Sequence, residues 1–149
     1  MSKIRLTKEF RFEMAHALYG YDGPCKNIHG HSYCLHVTVI GKPIQDSSAT
    51  KNGMLMDFTD LKAIVQQQII EPLDHALMLN GGSPHKDLVN ASLDQQRLVL
   101  VDFQPTCENM LIYFAQLITP HLPHGVTLHN MLLRETPTSY AEWFAADQY

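Results

Sequence analysis

From Ile4 the chain alternates. Ile4, Leu6, Phe10, Phe12 and Met14 are apolar, while Arg5, Thr7, Glu9, Arg11 and Glu13 between them are polar. A period of two is the pattern of a strand with one buried face, and His16 continues its apolar series. A second strand is predicted over residues 31–40, with Tyr33, Leu35, Val37 and Val39 on the side of His31 and with Gly41 and Pro43 closing it. Residues 42–53 read as a polar loop. Asp57 is a good N-cap, and Phe58, Leu61, Ile64, Val65, Gln68 and Ile69 fall on helical spacing, which predicts a helix over 58–70 stopped by Pro72. Residues 73–80 read as an apolar turn ended by Gly81-Gly82, and 98–101 as a possible extra strand in a mixed segment. Thr106 caps a second predicted helix, with Leu111, Phe114, Ala115 and Ile118 on one face and Pro120 as its stop. Val126, Leu128 and Leu132, then residues 139–144, form a closing hairpin around Pro137. The order strand, strand, helix, helix, strand, strand predicts an α+β domain: a four-stranded antiparallel sheet, two helices between strands 2 and 3, and one domain over residues 1–149.

Composition narrows the function classes. The 149 residues carry a net charge of −4, so there is no basic field for a nucleic-acid backbone or an anionic membrane surface, and neither partner is expected. No apolar stretch approaches the roughly 18 residues of a membrane span, and the first ten residues lack a signal-peptide apolar block. Three cysteines do not read as a disulfide framework and fit a reducing compartment, so the expected location is cytoplasmic. Nine histidines stand out against this ordinary background.

The strongest chemical signal is His29-Gly30-His31. Residues two apart on an extended chain point the same way and can grip one ion. His16, on the inward face of the first strand, supplies a third imidazole if the two strands pair. Three neutral imidazoles suit Zn²⁺ and leave a fourth position open for water or substrate. His36 or His121 alone reads as an ordinary satisfied histidine.

Cys25, four residues before His29, has three open readings: a fourth ligand in a closed structural site, a buried inert thiol, or a thiolate base. Cys34 and Cys107 read as small packing residues. Asp74-His75 pairs an acid with an imidazole, as a proton-transfer group requires. In isolation an Asx-turn with a surface histidine explains that pair better. Glu108 and Glu135 are each either a solvated edge residue or helix-start acid, or an acceptor for adjacent N–H donors of a heterocycle.

Six segments in order carry a resemblance: Phe10-Arg11-Phe12-Glu13-Met14-Ala15-His16, Cys25-Lys26-Asn27-Ile28-His29-Gly30-His31, Gly53-Met54-Leu55-Met56-Asp57-Phe58, Leu73-Asp74-His75, Pro105-Thr106-Cys107-Glu108-Asn109 and Arg134-Glu135-Thr136. Together they resemble the motif series of the 6-pyruvoyl-tetrahydropterin synthase and 6-carboxytetrahydropterin synthase family over nearly the whole chain. The short gap from Cys25 to His29 is similar to the carboxy-forming bacterial branch.

The resemblance implies the tunnelling fold, in which sheets from several subunits join into a barrel, most simply a homohexamer of two stacked trimers with active sites at subunit interfaces. It implies that His16, His29 and His31 hold zinc. By the same resemblance Cys25, with Asp74 and His75 reaching in from a neighbouring subunit, moves protons, and Glu135, helped by Glu108, anchors a pterin ring. The implied activity converts 7,8-dihydroneopterin triphosphate to 6-carboxytetrahydropterin, acetaldehyde and triphosphate on the route to queuosine and related deazapurines. Elimination to the 6-pyruvoyl product is the near alternative, and a non-enzymatic Cys-His₃ zinc module is the rival from another class. Residues 81–103 are longer than the corresponding connection in compact members of the family.

Overall fold

The alternation of the first strand continues to its last residue because a partner runs its full length. In the computed structural model, which describes residues 1–87 and 97–149, β1 (Ile4–His16) pairs antiparallel with β2 (His29–Gly41) from Ile4 opposite Gly41 to His16 opposite His29. Strand β2 therefore starts two residues before the predicted boundary, and His29 lies inside the ladder. The predicted closing hairpin is β5 (Val126–Thr136) and β6 (Ser139–Phe144), and β5 pairs antiparallel with β2.

Two further strands correct the expected count. Between β2 and β5 lie β3 (Ala76–Asn80) and β4 (Leu98–Val101), and the six strands form one sheet ordered β4-β3-β1-β2-β5-β6. The sheet is mixed, because β3 runs parallel to β1 and β4 parallel to β3. The sequence pattern predicts the extra strand at 98–101 but gives a turn over 73–80. Ala76, Leu77, Met78 and Leu79 are all buried. A strand covered on both faces shows an unbroken apolar run, which periodicity cannot recognise. The described residues of the long 81–103 segment thus include the end strand β4, and residues 88–96 lie outside those described.

The first helix, α1 (Phe58–Val65), is capped by Asp57, whose carboxylate accepts the Thr59 N–H at 2.8 Å. It does not stop before Pro72. The chain continues through a π-helical stretch, Gln66–Ile70, and a last α-helical turn, Glu71–Leu73. Proline at 72 cannot donate to a carbonyl one turn back. The π-helical stretch absorbs that break, with the Glu71 N–H reaching back five residues to Gln66 O. Consequently the helix delivers Asp74 and His75 to the end of β1. The second helix, α2 (Cys107–Ile118), is capped by Thr106 and follows β4, so the two helices do not lie together between strands 2 and 3 as expected.

Leu61, Val65, Ile69, Met110, Leu111, Phe114 and Ile118 of the helical segments are buried in one core with Phe10, Phe12, Met14, Tyr33, Leu35, Val37, Val39, Met131 and Leu133 of the sheet. Those β1 and β2 positions are the apolar face of the original alternation. His16 shares that face and is 2% exposed.

Candidate metal centre

Pairing of β1 and β2 sets His16 opposite His29, and the pleat sets His31 on the same side as His29. The ring centroids of His16 lie 4.6 Å from His29 and 5.2 Å from His31. Glu135 joins them from β5, with its Oε1 2.8 Å from His31 Nε2 and 3.3 Å from His16 Nε2. The ladder to β6 explains how it reaches. Arg134 pairs with Tyr140 and Thr136 with Ser139, so Glu135 is the residue skipped by a bulge, and bulges re-aim a side chain.

The ring orientations fix what the nitrogens can do. His16 Nδ1 lies 2.7 Å from Pro105 O, and His29 Nδ1 lies 2.6 Å from Asn27 O. A carbonyl only accepts, so each Nδ1 carries the proton and each neutral ring presents its Nε2 lone pair. Those two Nε2 atoms face each other at 3.1 Å. Two lone pairs at that distance repel unless a proton or a cation lies between them. His31 Nε2 is buried and has no aligned hydrogen-bond partner despite its closeness to Glu135. Ligand atoms of His16, His29, His31 and Glu135 all lie within 4.8 Å of one another. The three imidazoles are a donor set that fits Zn²⁺ with a fourth position left open, and the Glu135 carboxylate stands beside them.

Charge states agree with that use. With a proton on His16 Nε2 the ring donates to Glu135 and holds its carboxyl below the ordinary glutamate range against the opposing effect of burial, and a cation bound in place of that proton favours the same ionised carboxylate. Burial pushes His31 below the ordinary histidine value, which favours its neutral, ligating form. Tyr33 stacks on Phe12 beneath the rings, and burial raises its hydroxyl far above the ordinary tyrosine value, so it stays protonated.

The remaining candidates are not among the gathered ligand atoms. Cys25 lies in a short 3₁₀ turn, Pro24–Lys26, half-buried, its carbonyl accepting the Leu18 N–H at 2.9 Å. Asp74 Oδ1 accepts the Glu13 N–H at 2.9 Å and lies 3.0 Å from His75 Nδ1. The Glu13 bond is the first cause holding Asp74 below the ordinary aspartate range. His75 has a φ of 61°, and its side chain is 74% exposed. That left-handed residue turns the chain from the helix into β3, and its N–H donates to Glu13 O at 2.6 Å. His75 and His31 line one open cavity of about 340 Å³. Glu108, in the first turn of α2, lines a different cavity between that helix and β6. Cys107 donates to Leu133 O at 3.2 Å, and burial raises its thiol to about 12, consistent with the packing role expected of it.

Sequence reasoning did not foresee Glu135 beside the imidazoles, nor the Pro105 and Asn27 carbonyls that orient them. Pro105 opens the capped segment before α2, where only the backbone oxygen carries the role.

No helix among the described residues is long and apolar enough to cross a membrane. The sequence profile described as 6-pyruvoyl tetrahydropterin synthase matches residues 5–146. A 6-carboxy-5,6,7,8-tetrahydropterin synthase from Haemophilus influenzae is 36% identical over 144 residues, covering 94% of this chain and 98% of that protein. Among solved structures, a protein of Wolinella succinogenes described as uncharacterized superposes with a TM-score of 0.79 at 20% identity, covering 97% of this chain and 99% of the other. The Caenorhabditis elegans 6-pyruvoyl tetrahydropterin synthase does so with a TM-score of 0.70 at 22% identity, covering 97% of each chain. At those identities the two structures speak for the fold alone.

Proposed function

The chain belongs to the 6-pyruvoyl tetrahydropterin synthase family and has the tunnelling fold of that family, and on that premise we propose that it is a zinc-dependent carbon–carbon lyase. Its substrate is 7,8-dihydroneopterin triphosphate. Its products, with water consumed, are 6-carboxytetrahydropterin, acetaldehyde and triphosphate, in a route toward queuosine. The name of the Haemophilus influenzae relative supports the carboxy-forming branch over the pyruvoyl-forming one.

The observation that carries the proposal is the facing pair of His16 and His29 Nε2 atoms, both locked with lone pairs inward by Pro105 and Asn27. In this reading His16, His29 and His31 hold the ion, which when bound supplies Lewis-acid polarisation of the substrate's side-chain carbon–oxygen bonds. Cys25 removes a proton from the side chain as base. The Asp74–His75 pair returns one as acid, with Asp74 fixing the imidazole through the 3.0 Å contact to Nδ1. The wide exposure of His75 suits a residue offered to an adjacent copy of the chain. Glu135, held ionised, accepts paired N–H groups of the pterin ring, and Glu108, which lines a different cavity within one chain, is assigned its helping role from the family resemblance alone.

The test against a purely structural zinc module is Cys25→Ala, assayed for turnover and for metal together. The lyase reading expects lost turnover with zinc retained. Zinc lost along with activity favours a Cys-His₃ staple, and an active variant removes Cys25 from the chemistry.

A further inference from the structure

The β1–β2 pair that gathers the histidines repeats the same layout on its other face. In the first trio, two β2 residues separated by one, His29 and His31, are joined by His16, the β1 residue opposite His29. Cys34 and His36 are again two β2 residues separated by one, and Glu9 is the β1 residue opposite His36. Even and odd positions of a strand point to opposite faces, so this second trio lies on the face turned away from the helices and the first trio.

Its donor atoms are already gathered. The Glu9 carboxylate, the Cys34 sulfur and a His36 ring nitrogen all lie within 4.8 Å of one another, with Glu9 Oε1 3.4 Å from His36 Nε2. Ligands of one tetrahedral zinc-class ion at about 2.0–2.3 Å from it stand roughly 3.3–3.8 Å apart, so a small side-chain adjustment closes the trio. Cys34 is 5% exposed and forms the floor, and the more exposed His36 and Glu9 leave the outer side open. Sulfur with imidazole and carboxylate selects zinc-class ions over magnesium or calcium.

We propose that Glu9, Cys34 and His36 form a second divalent transition-metal site, separate from the centre built on His16, His29 and His31. Cobalt(II) distinguishes the two, because only the second site puts sulfur on the ion. Titration of the metal-stripped full chain is expected to show a second equivalent with near-ultraviolet sulfur-to-cobalt charge-transfer absorption. Cys34→Ser and His36→Gln each lose that equivalent and the band while keeping the first equivalent and the far-ultraviolet circular dichroism. His29→Ala loses the first equivalent and keeps the band. His36 is partly exposed, so its variant carries the test if Cys34→Ser fails to fold. A single equivalent in the wild-type chain, or a band that vanishes in Cys25→Ser and survives in Cys34→Ser, overturns the proposal. Loss or survival of lyase activity does not bear on these readouts.

Discussion

Removing one imidazole from the histidine cluster leaves too few donors to hold a zinc ion tightly. His29→Ala and His31→Ala are therefore expected to lower bound zinc from about one per chain at this centre toward none, as measured by elemental analysis after dialysis. Full retention of that metal by either variant contradicts the ligand assignment. At the residue scale much of the centre was readable in advance. Alternation alone placed His16 on the inward face, and the one-residue spacing paired His29 with His31. Glu135 was not readable in the same way, because the bulge at its position breaks the register on which such reasoning depends. Cys25 stayed ambiguous because a turn, unlike a strand, imposes no direction that spacing can reveal.

Among the elements, α2 has an indirect hold on the histidine cluster. Its N-cap, Thr106, accepts the Asn109 N–H at 3.2 Å, and the preceding residue, Pro105, supplies the carbonyl that orients His16. Thr106→Ala removes the cap at a cost of about 1 kcal/mol. The expected fall in Tm is roughly 2–4 °C for a chain of this size. An unchanged melting temperature excludes the cap as a stabilising contact. The long amphipathic strands and helices were legible because each has one buried face. Strand β3 was not, since burial on both sides erases alternation. The helix end was misjudged because a π-helical stretch carries the chain through Pro72, which is what brings Asp74 and His75 to the edge of β1.

On the scale of the whole molecule, the feature that needs explanation is that, among the described residues, the end strands β4 and β6 of the six-stranded sheet have no strand on their outer side. Unpaired edges invite pairing with further strands, and the homohexamer that the family resemblance implies would use them to bring Asp74 and His75 of one copy to the histidine cluster of the next. Asp74→Ala and Cys25→Ala proteins, each inactive alone, should regain part of the activity when their subunits are exchanged, because some interfaces then hold one intact set. Absence of any recovery in verified mixed oligomers places both residues within one chain's site.

The proposed reaction is tested most directly by its products. Zinc-loaded protein incubated with 7,8-dihydroneopterin triphosphate and followed by mass spectrometry should yield 6-carboxytetrahydropterin together with acetaldehyde. Accumulation of 6-pyruvoyl-tetrahydropterin without acetaldehyde contradicts the carbon–carbon cleavage, and a substrate left unconsumed contradicts the lyase assignment itself.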